Sequence, residues 1–195
     1  MNKIFTDLNY NSLYEKCIMA SIAHAIMVGK YDLLASEQSW DGNNYNFQNM
    51  EGVRGVISFS EDCYVCVIQN DANYYGYREC CVSELFYGAD ETIVKLADEA
   101  LQYMLIEYQG NSVPFISVAF WGTKDGNFSN QLEDEILSFS EKMIVPFLYS
   151  ENDVKEYWKD YYEMTEEQVE LMEEVYGKRI KLKGSLKLNI YEKDR

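Results

Sequence analysis

Glu37, Asp41 and Arg54 put two carboxylates and a guanidinium into one short stretch, EQSWDGNNYNFQNMEGVRGVISF, from Glu37 to Phe59. A carboxylate pair beside an arginine is equipment for general acid–base chemistry, and so for a small hydrolase or transferase. The same residues also fit a purely structural role, which is the expected one: Asp41 makes a turn with Gly42, and Arg54 pairs with Asp41 to hold the loop on a sheet. His24 is the chain's one histidine, so any Cys–His pair or Ser–His–Asp triad must use it. It lies within the apolar run Cys17 to Val28, where a hydrogen-bonded core role is expected. Cys63 and Cys66 have the C-x-x-C spacing, with Cys80 and Cys81 downstream. They fall where a strand is expected, and residues three apart on a strand face opposite ways, so buried thiols are expected rather than a zinc site. Lys124 between Gly122 and Gly126 lacks the pattern of a phosphate loop and reads as a hairpin connection. No catalytic residue, metal or cofactor is assigned.

Charge says more about partners. The chain carries 17 basic and 33 acidic residues, a formal charge of −16. Nucleic acid needs a cationic footprint and is not an expected partner. A basic protein is, because opposite charge speeds encounter. The acidic residues concentrate between Glu151 and Glu174, where Glu163, Glu166, Glu167, Glu170, Glu173 and Glu174 stand among Tyr157, Trp158, Tyr161, Tyr162 and Tyr176. After Gly177 the sign reverses, with Lys178, Arg179, Lys181, Lys183 and Lys187. Such a segment is either a solvated helical face with its aromatics turned inward or an acidic surface with aromatic anchors. The five cysteines, an odd number, suit reduced thiols, no signal peptide is apparent, and the longest apolar run is too short to span a bilayer; a cytoplasmic location and no membrane partner are expected.

Hydrophobic spacing indicates the elements that position these groups. A first helix is expected from Asn11 or Ser12 to Val28, stopped by Gly29. Tyr45, Phe47 and Gln48 suggest a short strand; Val53 to Phe59 alternates, Ser60 to Asp62 turns, and Tyr64 to Gln69 returns, an antiparallel meander. A further strand is expected around Tyr74, Tyr75 and Tyr77. From Asp90 the period becomes helical up to a stop at Gly110, followed by a strand from Val113 to Trp121. Asn130 with Glu133 suggests a capping box for a helix through Met143, and Ser150 and Thr165 open two more helices, the last ending at Gly177. Ser185 to Tyr191 alternates as a final strand. Two prolines and no Gly/Ser linker leave residues 1–195 as one expected domain of α+β class, a mainly antiparallel sheet packed by several helices.

The strings S-W-D-G-x-N-Y and G-x-R-G-x-I-x-F stand here as Ser39, Trp40, Asp41, Gly42, Asn44 and Tyr45, then Gly52, Arg54, Gly55, Ile57 and Phe59. This stretch, about an eighth of the chain, resembles immunity proteins of bacterial polymorphic toxin systems. The resemblance implies a small cytoplasmic protein that binds and blocks a cognate toxin domain made by the same cell, without catalysis; the acidic balance suits a basic toxin. The expected contacts are Trp40 and Asp41 with Glu163, Glu166, Glu167, Glu170, Glu173 and Glu174. The competing reading is an enzyme using the carboxylates near Trp40 to Arg54.

Overall fold

The structure, a computed structural model, describes residues 1–49, 51–72 and 82–193, with side chains to residue 179 apart from Glu151. Met50, the strand expected at Tyr74 to Tyr77, and Cys80 and Cys81 lie outside the described residues.

The chain forms strand β1 (Asn2–Ile4) and helix α1 (Tyr10–Val28), a 3-10 turn at Asp32–Ser36, and strands β2 (Gln38–Asp41), β3 (Asn44–Gln48), β4 (Val53–Phe59) and β5 (Tyr64–Asn70). Helices α2 (Val82–Leu85) and α3 (Glu91–Leu101) come next, then β6 (Leu105–Tyr108), β7 (Asn111–Pro114), β8 (Val118–Thr123) and β9 (Gly126–Ser129). Helices α4 (Glu133–Phe139), α5 (Val145–Leu148), α6 (Glu151–Tyr161) and α7 (Glu166–Lys193) complete it. Seven strands pair in the order β1-β9-β8-β5-β4-β3-β2, antiparallel throughout, and β6 and β7 form a separate hairpin. This is the α+β class that the spacing indicates, with its central meander in register.

Contacts gather the chain into two units: Met1–Cys17 with Ser36–Tyr149, and Ile18–Ala35 with Ser150–Arg195. The first holds the sheet. One face buries Val56, Val65, Val67, Ala119 and Trp121 against Ile93, Leu96, Ala97, Ala100 and Leu101, the apolar stripe of α3. Asp90 caps that helix, its carboxylate accepting the Ile93 N–H at 2.9 Å. The opposite face is aromatic. Phe59 meets the rings of Tyr10 and Tyr14 edge-on at 5.6 and 5.1 Å, while Phe147 packs on Tyr45 and Phe47. The second unit holds the rest of α1 with α6 and α7.

Several expectations are corrected. Asn9, not Asn11 or Ser12, caps α1, accepting the Ser12 N–H at 3.0 Å. The α3 helix ends at Leu101, and Gly110 is no helix stop: with Gln109 it forms the two-residue turn between β6 and β7, both at positive φ (50° and 78°). The strand expected from Val113 to Trp121 is broken at Phe115 to Ser117, so that its halves join different sheets. At α4 the Glu135 carboxylate accepts the Leu132 N–H, two residues later than expected; Asn130 instead donates to the carbonyls of Glu84, Leu85 and Tyr87. The last helix does not stop at Gly177. It runs to Lys193, so the strand expected at Ser185 to Tyr191 does not form. A lone glycine lowers helix propensity by about 1 kcal/mol but removes no hydrogen bond, and nothing like proline follows to end the helix.

Candidate functional site

Arg54 is the chemistry-bearing member of G-x-R-G, and its neighbours explain how it is presented. It sits on β4 opposite Gln48 of β3 and Gln69 of β5, a polar row beyond the apolar patch that α3 covers. Gly55 directly follows. It stands opposite Phe47, and a Cβ there would meet that ring at 2.3 Å. The glycine thus lets Phe47 lie flat on one face while Arg54 leaves by the other. Asn49 shapes the preceding turn, its side-chain oxygen accepting the N–H groups of Glu51 and Val53.

The guanidinium is held by neutral acceptors. Its Nε and Nη2 donate to Gln69 Oε1 at 3.2 and 2.9 Å, and Nη2 also reaches the Leu105 carbonyl at 3.4 Å. Gln69 in turn donates to Asp71 Oδ1 at 2.8 Å. Two clefts meet at Arg54. One, of about 520 Å³, is lined by Gln48, Asn49, Gly52, Val53, Arg54, Gln69, Asp71 and Ile106. The other, of about 200 Å³, is bounded by Ser39, Asn46, Arg54 and Tyr103 among others.

The expected Asp41–Arg54 pair does not form. Asp41 lies in the row of Asn44 and Ser58, four residues from Arg54 along β4, about 13 Å at 3.3 Å per residue. Its carboxylate takes the Tyr103 hydroxyl at 2.7 Å instead, within a chain running from Ser58 to Asn44 to Tyr103 to Asp41. That hydrogen bond, with burial and the carboxylate's charge, pushes the Tyr103 phenol above its ordinary range. Glu37 is buried ahead of β2, with its carbonyl accepting the Gln48 N–H. Trp40 is half-buried and packs with Tyr14, Tyr45 and Phe59 at 5.2 to 6.0 Å. His24 belongs to the second unit, where its Nε2 is 2.7 Å from the Leu34 carbonyl and so carries the proton. Glu37, Asp41 and His24 therefore line neither Arg54 cleft, and the carboxylate–arginine constellation is not assembled. Cys63 and Cys66 are buried free thiols with pKa values raised, chiefly by burial. Among the described residues no group of three or more His, Cys, Asp and Glu is placed to hold a metal ion.

In the second unit, α6 and α7 display the acidic segment. Lys155 meets Glu173 at 2.9 Å and Lys159 meets Glu166 at 2.6 Å, tying the two helices side by side; Lys178 pairs with Glu174 along α7. The hydrogen bond from Lys159 holds its ammonium above the usual lysine range, and the bond from Lys178 holds the Glu174 carboxyl below the usual one. Glu163, Glu167 and Glu170 are exposed and make no ion pair among the described residues. Trp158, Tyr162 and Tyr176 are buried, whereas Tyr161 is 44 % exposed. Leu171 and Val175, one turn apart, are exposed too, at 46 % and 40 %. The aromatics were legible in the sequence; this apolar seam was not, because its two residues look like any helix interior. Among the described residues no helix is long and apolar enough to cross a membrane. No family model, curated protein or solved structure matches this chain.

Proposed function

We propose that this chain is a binding protein that receives a basic protein domain on the exposed face of α7 and the end of α6. The observation that carries the reading is the composition of that face. Leu171 and Val175 form an apolar seam, and Glu167 and Glu170, with no ion pair among the described residues, flank it with carboxylates. An apolar centre within a charged rim is how protein interfaces are built, and a rim of one sign selects a partner of the other. The resemblance at Ser39 to Phe59 gives the partner a concrete form: a cognate toxin domain, blocked by occlusion in the cytoplasm. Glu166, Glu173 and Glu174 serve this surface indirectly, since their lysine partners already engage them. Trp40 and Asp41 act on the first unit, one in an aromatic cluster and one anchoring Tyr103.

The test is capture from the native organism's lysate at low and at high salt, followed by expression of the captured protein alone and together with this chain. The expected result is one basic partner, released by salt, that arrests growth alone and not in the pair. A partner that is neutral, retained in high salt or harmless would overturn the reading.

A further inference from the structure

The Arg54 cleft lies in the other unit and is not used by the proposed interface, so what it binds is a separate question. In a chain with 33 acidic residues, the Arg54 guanidinium lines a cleft of about 520 Å³ with no carboxylate within ion-pair distance among the described residues. Its three hydrogen bonds all go to neutral carbonyl oxygens, and these hold the side chain in place without satisfying its charge. A fixed guanidinium is a receptor for an anion, and with Nε and Nη2 engaged it is the two Nη1 N–H groups that remain to donate to a carboxylate.

Asp71 narrows the choice. It lines the same cleft, and the carboxamide of Gln69 stands between it and Arg54, bonded to the guanidinium by its oxygen and to the carboxylate by its nitrogen. The cleft therefore presents a cation and an anion one amide group apart, with no net charge between them. A phosphate dianion would meet Asp71 unfavourably. A ligand with a carboxylate and an N–H on the adjoining carbon offers the same acceptor–donor order as the Gln69 amide, oxygen toward Arg54 and nitrogen toward Asp71. Val53 and Ile106 leave an apolar wall for a side chain, and the volume is in the range of small-molecule sites.

We infer that this cleft is a binding site for an α-carboxylate bearing an amino or amide nitrogen, with Arg54 holding the carboxylate and Asp71 the N–H. Two sources share that chemistry, a free amino acid and the C-terminal residue of a peptide.

The experiment follows the Arg54 Nε–H resonance by NMR, assigned through its loss in Arg54→Lys. The probes, at millimolar concentration, are pooled free amino acids, an N-acetylated tripeptide with a free C-terminus, the same tripeptide amidated, and inorganic phosphate. A saturable shift with a free-carboxylate probe and none with the amidated peptide is expected. A response to the amino acids alone assigns a free metabolite; a response to the tripeptide acid, alone or as well, assigns a terminal residue. Asp71→Asn, at an exposed position, should keep the fold by circular dichroism and weaken binding several-fold; unchanged affinity overturns the role of Asp71. No saturable shift with either carboxylate probe, or an equal shift with phosphate, overturns the site.

Discussion

Gly55 shows how a single residue sets up the site. The Phe47 ring occupies the space that any Cβ at position 55 would need. Overpacking of this kind costs about 1–3 kcal/mol, so Gly55→Ala should lower the urea midpoint accordingly. A wild-type midpoint would mean that Phe47 does not rest there. Tyr103 gives a pH-dependent prediction. Its phenol pKa is raised in the folded chain, chiefly by the hydrogen bond to Asp41. The stability linked to this group is therefore complete below the ordinary tyrosine pKa of 10.0 and declines as pH rises through the higher folded value. Asp41→Asn removes the charge that opposes the phenolate, so a site-resolved NMR titration should find the Tyr103 pKa lowered toward normal; no change would remove Asp41 as the cause. At this scale the sequence singled out Arg54 but not what it touches. Opposite charges suggest Asp41 as the partner, whereas strand register sets the amide of Gln69 beside Arg54 and leaves Asp41 at the far end of the sheet edge. Tyr103 carries no local signal at all, since it enters the site only through the fold.

The elements were most legible where period and punctuation agreed. The β4 strand matches its expected bounds because alternation and flanking turns point the same way, and Ser150 and Asp90 cap the helices they were expected to cap. Of the glycines read as stops, Gly29 does follow the end of α1 at Val28, whereas Gly110 and Gly177 misled. Gly177 lies inside α7 with helical φ and with open space where a Cβ would go. Gly177→Ala should therefore stabilise the helix by about 0.5–1 kcal/mol and raise far-ultraviolet ellipticity; a loss of stability would mean that the helix ends there after all. A left-handed C-terminus does close α6. Met164 N–H bonds the Lys159 carbonyl, Glu163 N–H bonds the Asp160 carbonyl, and Glu163 itself sits at φ 49°. This is the position that glycine prefers. Glu163→Gly should raise thermal stability by about 1 kcal/mol while removing one carboxylate from the proposed interface. If stability falls, the strain assigned to Glu163 is absent.

For the whole molecule, the spacing of elements anticipated the class and composition the acidic character, but the two contact units were invisible. Each is assembled from separate segments, so their boundaries fall within α1, within the 3-10 turn at Asp32–Ser36 and just ahead of α6 rather than in a polar linker. The division of labour among the carboxylates was equally hidden, because only the packing of α6 beside α7 decides that Glu166 and Glu173 meet lysines while Glu163, Glu167 and Glu170 do not. The central claim is that this second set receives a basic partner. The most direct measurement is the dissociation constant of the captured partner, as a function of salt, for the wild-type chain and for the triple variant Glu163→Lys, Glu167→Lys and Glu170→Lys, with the fold of each checked by circular dichroism. Screening acts on exposed charges, so wild-type affinity should fall steeply with ionic strength, while the variant should bind more weakly at low salt and with a flatter dependence. Equal affinity and equal salt slope in a folded variant would place the interface elsewhere and contradict the account.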